Sequence, residues 1–175
     1  MTDKTIWGIH MRRTHGLAPI EQSYIAIGWR EMGDLALIKR NRDAFKAAYE
    51  RSYPDAGPGT VRTSAGVPFR FLVEMKPGDV VIFPSKPDRM VNIGMVEGDY
   101  SYVPQAPFDC PHRRSVKWLK HIPRADFSQA ALNEIGSALT LFKVATNAHE
   151  FLAALGRQAF EPDDIDESSA ERVTE

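Results

Sequence analysis

The chain has 175 residues, 43% hydrophobic and 26% charged, a size and balance that fit one globular domain with a real core. Its single cysteine, Cys110, excludes an intrachain disulfide and a cysteine-based zinc site, and no run of about 18 apolar residues offers a membrane span. The formal net charge of −1 conceals an asymmetry, since residues 161–175 hold seven acidic residues and one arginine, leaving 21 basic and 16 acidic residues in 1–160. In chain order, Thr5 to Met11 has strand propensity and is followed by Arg12-Arg13 and a glycine-containing loop. Tyr24 to Trp29 (YIAIGW) reads as a second strand. Asn41 or Asp43 can cap a helix running to Tyr53, with Phe45, Ala48 and Tyr49 on one face. Pro54 and Gly57-Pro58-Gly59 end it. Thr60 to Met75 suits a further helix, which Pro68 divides into two short segments.

The stretch 75–99, MKPGDVVIFPSKPDRMVNIGMVEGD, is the most informative. Pro77-Gly78 sets a turn, Val80 to Phe83 is a buried strand, and Ser85-Lys86-Pro87-Asp88 breaks it with a hydroxyl, a cation and a carboxylate. Val91 to Val96 returns as the next strand, where Gly94 leaves room for close backbone approach. Pro104 to Pro111 is a loop rich in proline and aromatic residues. Arg114 to Ile122 alternates as a strand with Val116, Trp118 and the stem of Lys120 on one face. Ser128 caps a short helix that Gly136 stops, Leu139 to Val144 is the last strand, and Asn147 to Leu155 the last helix. Helices and strands do not alternate regularly, so the predicted fold is α+β, a small curved sheet or open barrel flanked by short helices. Trp7 and Trp118 sit inside alternating strands and read as core.

MKPGDVVIFPS, VNIGMVEGDY, VKWLKHIPR and IAIGW together resemble the EVE-like branch of the PUA superfamily, to which YTH domains are related. The similarity spans residues 4–155 and is nearest to the N-terminal modules of Mrr-type and other modification-dependent restriction proteins. It implies a PUA-like pseudo-barrel with a pocket for one flipped-out base. Extruding a base costs a few kcal/mol, which stacking on an aromatic ring, at about 1–3 kcal/mol per base, can offset. By position, Trp29 matches a pocket wall and Ser85 the polar residue at the end of the third strand. The second wall points into Tyr100 to Phe108, with Tyr102 first and Tyr100 and Phe108 behind it. Asp99 is placed to accept a hydrogen bond from an exocyclic amine. Arg12, Arg13, Lys86, Arg113, Arg114 and Lys117 are the candidates for contact with a phosphate backbone, which positions a protein without reading sequence.

Three patterns imitate catalytic sites. Pro54-Asp55 with Glu74-Met75-Lys76 mimics a metal-dependent nuclease, but the expected helix-to-turn setting of Glu74 is wrong for two carboxylates sharing Mg²⁺. Cys110 and His112 alternate on a loop, a poor arrangement for a nucleophile and its base. The histidines lack ligand spacing for zinc. The sequence therefore points to a non-catalytic module without metal or cofactor. Its expected partner is DNA carrying a methylated or hydroxymethylated base, with a nuclease domain following the acidic linker. The alternatives are an RNA-binding PUA-like protein and a stand-alone hydrolase or nuclease. Residues 1–160 form the expected domain and 161–175 a disordered linker or tail. Residues 1–20 lack the apolar segment of a signal peptide, so the expected compartment is the cytoplasm, with no membrane association.

Overall fold

A computed structural model of the chain describes residues 4–156. The acidic stretch 161–175 lies outside them. Strand β1 (Ile6–Ile9) leads through a 3₁₀ turn at Arg13–His15 into a one-turn helix, α1 (Ala18–Glu21), and then strand β2 (Tyr24–Ile27). The sequence reading has only a loop where α1 lies. The main-chain oxygen of Pro19 in this helix accepts a hydrogen bond from the Trp118 indole at 2.9 Å.

Helix α2 (Arg42–Ser52) is capped as expected by Asn41, whose side chain accepts from Ala44 N–H at 2.8 Å. Next comes α3 (Pro58–Ser64), starting two residues earlier than predicted because Pro58 sits at the first turn, where its missing N–H costs nothing. The break before α4 (Gly66–Phe69) falls at Ala65. Pro68 is then within the first turn of α4 and interrupts no hydrogen bond. The segment ends in a π-helical turn, Arg70–Glu74.

Strand β3 (Val80–Ser85) and strand β4 (Met90–Val96) form the hairpin foreseen in the sequence. A short β5 (Ser101–Tyr102) precedes the long β6 (His112–Pro123), which is followed by α5 (Gln129–Ile135), β7 (Leu141–Lys143) and α6 (Ala148–Gly156). The strands make one mixed sheet in the order β2-β6-β4-β3-β1-β7, with β5 also on β6. Only β1 and β3 run parallel among these pairings; the rest are antiparallel. The sheet curls into a half barrel, so the α+β, curved-sheet expectation holds at that level.

Curling follows from β6. Its first residues pair with β2 (Arg113 with Ala26) while its later ones pair with β4 (Ile122 with Val91), so one long strand joins the β2 edge to the rest of the sheet. The sheet is covered on both faces. Trp7, Ile9, Ile25, Ile27, Val81 and Phe83 pack inward on Phe71 and Met75. Ile6, Val80, Ile82 and Ile93 pack outward on Phe127 and Phe151, near α5 and in α6. This is why β3 reads as an unbroken apolar run rather than an alternating one.

Gly94 lies at a register shift between β4 and β6. A Cβ there would stand 2.7 Å from Val116 Cγ1, 2.8 Å from Lys117 O and 2.8 Å from Trp118 Cε3. Gly94→Ala is therefore expected to destabilise the fold by about 1–3 kcal/mol through overpacking in a central strand. In urea unfolding the midpoint should fall while the slope stays unchanged; an unchanged midpoint would show that the strand pair can spread.

Candidate functional site

The inward ends of β1 and β2 do not close against the helices. They leave a cavity of about 320 Å³ bounded by His10 and Arg12 after β1, Trp29 after β2, Tyr49 from α2 and Tyr53 just past its end. Ser64, Cys110 and Thr140 complete its polar lining. The volume is at the lower end of the range that small-molecule pockets occupy. No aspartate or glutamate is among the lining residues.

Trp29 is the residue on which the site turns. Strand β2 stops at Ile27, and Trp29 follows in the left-handed region, φ 59° and ψ 39°. A bulky side chain there costs on the order of 1–3 kcal/mol and persists only when its surroundings hold it. What holds it is a chain of hydrogen bonds. Trp29 O accepts from Met32 N–H at 3.1 Å and from His112 Nε2 at 2.9 Å. His112 Nδ1 meets the Tyr100 hydroxyl at 2.7 Å, and that hydroxyl accepts from Leu35 N–H at 3.1 Å.

The Trp29 carbonyl fixes the histidine's tautomer when the ring is neutral. A carbonyl only accepts, so Nε2 carries the proton; Tyr100 then donates to a bare Nδ1. His112 must be neutral for this, and burial does lower its pKa. Burial likewise raises the pKa of Tyr100, keeping its hydroxyl a donor.

Of the six residues expected in a base pocket, only Trp29 lines this cavity. Tyr100 and Tyr102 instead lie against the His112 ring at centroid distances of 5.8 and 5.7 Å, behind the wall rather than on it. Phe108 packs against His15 at 4.7 Å, and Asp99 is exposed near Arg114. Ser85 is fully buried inside the β3–β4 hairpin, hydrogen-bonded to Asp88 and accepting from Asn92 Nδ2 at 2.9 Å. It ends the strand paired with Met90 rather than at an open rim. Tyr49 of α2 and Tyr53, just past its end, also line the cavity, their rings tilted by 35° with centroids 4.7 Å apart. Their four-residue spacing on a helix was visible, but Tyr49 reads from sequence as an ordinary core position.

The basic candidates divide in the same way. Arg12 lines the cavity and, with Arg13 and Lys86, a shallow groove floored by Phe83 and Pro84. Lys117 is exposed on β6. Arg113 lies over the Tyr24 ring at 4.0 Å. Arg114 is only 3% exposed and is committed to main-chain carbonyls, Phe71 O at 3.0 Å, Leu72 O at 3.3 Å and Gly98 O at 3.1 Å. It ties the end of the π turn to the strand behind it and has no surface to offer a phosphate.

Glu74 is held by Arg42 at 3.0 Å and Lys143 at 3.3 Å. Cys110 is buried, which pushes its thiol pKa up, away from nucleophilic character. Among the described residues no helix is long and apolar enough to cross a membrane.

No curated protein matches the chain. Among solved structures, the X-ray crystal structure of protein Atu2648 from Agrobacterium tumefaciens is similar over 87% of this chain and 91% of its own, at 14% identity and a TM-score of 0.37. Residues 11–145 match a family described as a domain of unknown function, DUF8426, and the chain belongs to that family.

Proposed function

We propose that the domain is a reader of modified DNA that takes one flipped-out base into the cavity beside Trp29. The observation that supports this most is the wall itself. A tryptophan in the left-handed region borders a 320 Å³ space that Tyr49 and Tyr53 also line, and Arg12 stands where the cavity meets a basic groove. Aromatic walls suit the faces of a base, and Arg12, Arg13 and Lys86 suit the phosphates flanking it. A lining without carboxylates, in a basic setting, disfavours a methylammonium ligand, which needs negative charge near its aromatic cage. It suits a neutral base. In this reading the base identity is sensed inside the cavity, and the domain directs a nuclease to modified DNA without cutting it.

The test is a binding titration at fixed salt with one duplex in four forms: unmodified, and carrying N6-methyladenine, 5-methylcytosine or 5-hydroxymethylcytosine. One modified duplex is expected to bind tighter, and Trp29→Ala to weaken that binding roughly 5- to 150-fold, the equivalent of about 1–3 kcal/mol of stacking. Equal affinity for all four duplexes, untouched by Trp29→Ala, would overturn the reading. A preference for the ribose form of the same strand would move the assignment to RNA.

A further inference from the structure

Helix α2 does more than furnish the tyrosines. Arg42, Lys46, Tyr49 and Tyr53 follow one another at intervals of four, three and four residues, which places them along a single stripe. Toward the N-terminal end of that stripe, Arg42 and Lys46 meet Arg62 of α3 around a second depression, floored by Ala65, Gly66 and Phe69. Phe69 fixes the place of Arg42, whose guanidinium lies 4.7 Å from the ring centroid.

The depression is electrostatically unbalanced. Glu74 is the carboxylate that pairs with Arg42, and it also serves Lys143 and acts on Arg70. Asp43 and Glu50 are exposed on the same helix, yet neither Lys46 nor Arg62 forms an ion pair with any described residue. Two unpaired cations beside a third, gathered over an apolar floor, repel one another until an anion sits between them.

We propose that this α2–α3 depression is a phosphate seat, gripping the backbone of the same nucleic acid whose base enters the cavity. The proposal rests on the base-reading function above and adds a second anchor, separate from Arg12, toward the N-terminal end of α2. Lys46 and Tyr53 are separated by about 10 Å along the helix axis, at 1.5 Å rise per residue. At about 3.4 Å per nucleotide along one strand, the seated phosphate lies roughly three nucleotides from the captured base. The stripe thus sets the direction in which the strand leaves the pocket.

The experiment measures affinity for the modified and unmodified duplexes between 50 and 200 mM salt (about the range over which phosphate contacts are read) with wild type, Lys46→Gln/Arg62→Gln and Trp29→Ala. Both substituted cations are off the core, and a melting curve confirms the fold. The double variant is expected to weaken both duplexes by the same factor and to make the slope of log K against log salt shallower by about 1–2, since each lost phosphate contact removes roughly 0.9. Preference for the modified duplex should survive. Trp29→Ala should do the reverse, erasing preference and keeping the slope. If the double variant keeps the wild-type slope while the base preference is intact, the seat is wrong and the reader stands. If the slope falls but wild type never prefers a modified duplex, the seat stands and the reader is wrong. Absence of binding at 50 mM salt overturns both.

Discussion

Arg114→Met is expected to destabilise the protein by about 3–5 kcal/mol, the largest effect of any single substitution considered for this chain. Three carbonyls, of Phe71, Leu72 and Gly98, lose their donor at once, and a buried acceptor without a partner costs about 1–3 kcal/mol. The melting temperature should fall by roughly 6–20 °C for a domain of this size. Arg114→Lys should recover little, because one ammonium group cannot reproduce the fork that reaches carbonyls on two segments. Asp99, close enough to favour the charged form of Arg114, should matter less, since it is exposed and screened. If Arg114→Met melts like the wild type and only DNA binding suffers, the arginine is a surface contact after all and the buried geometry is wrong.

That arginine also shows where a sequence stops being informative. Arg113-Arg114 reads as a basic pair at a strand end, and a strand alternates its side chains, so one of the two must face in. Which one is set by the register of β6 on β2, Arg114 opposite Ile25, and that pairing spans almost ninety residues. Local patterns fared better wherever the information was local. The Asn41 cap, the β3–β4 hairpin and the Ser128 cap are each decided within a few residues.

The site was legible only in half. Trp29 stands out because it ends an apolar strand, whereas Tyr49 is the buried core position its helical spacing predicts, and nothing local shows that it and Tyr53 also border a cavity. The aromatic residues of 100–108 do not line the cavity beside Trp29. Tyr100 does serve Trp29, but through His112, by holding the main chain on which the indole sits. Ser85 does end the third strand, but it pairs there with Met90 and is buried in the hairpin, away from the Trp29 cavity.

The His112 chain leads to a dependence on pH whose sign follows from its protonation. Unfolded, His112 titrates near 6.5; folded, burial lowers its pKa, so the folded state binds fewer protons. The stability it contributes is complete above about pH 6.5 and is lost as the pH falls from there through the folded value. The groups facing it are the rings of Tyr100 and Tyr102, the Trp29 carbonyl, and the charges of Asp34, which favours protonation, and Arg30, which opposes it. Arg30 is itself anchored to Asp109, so its charge stays in place as the pH drops. Protonating Nδ1 sets two donors against each other at the Tyr100 hydroxyl and loosens the left-handed turn that presents the indole. Melting temperatures taken from pH 7.5 down to pH 5 should therefore decline less steeply for His112→Gln than for the wild type. Some decline remains, because burial lowers the pKa of His10 and His15 in the same direction. Tyr100→Phe provides the second reading. It leaves His112 Nδ1 and Leu35 N–H without their partner, at about 1–3 kcal/mol, while keeping the ring stack. If binding at the cavity depends on how Trp29 is held, affinity for the preferred duplex should fall in both variants at pH 7.5 and the salt slope should not change. Identical pH profiles in His112→Gln and wild type would remove His112 from this role, because a neutral glutamine cannot titrate.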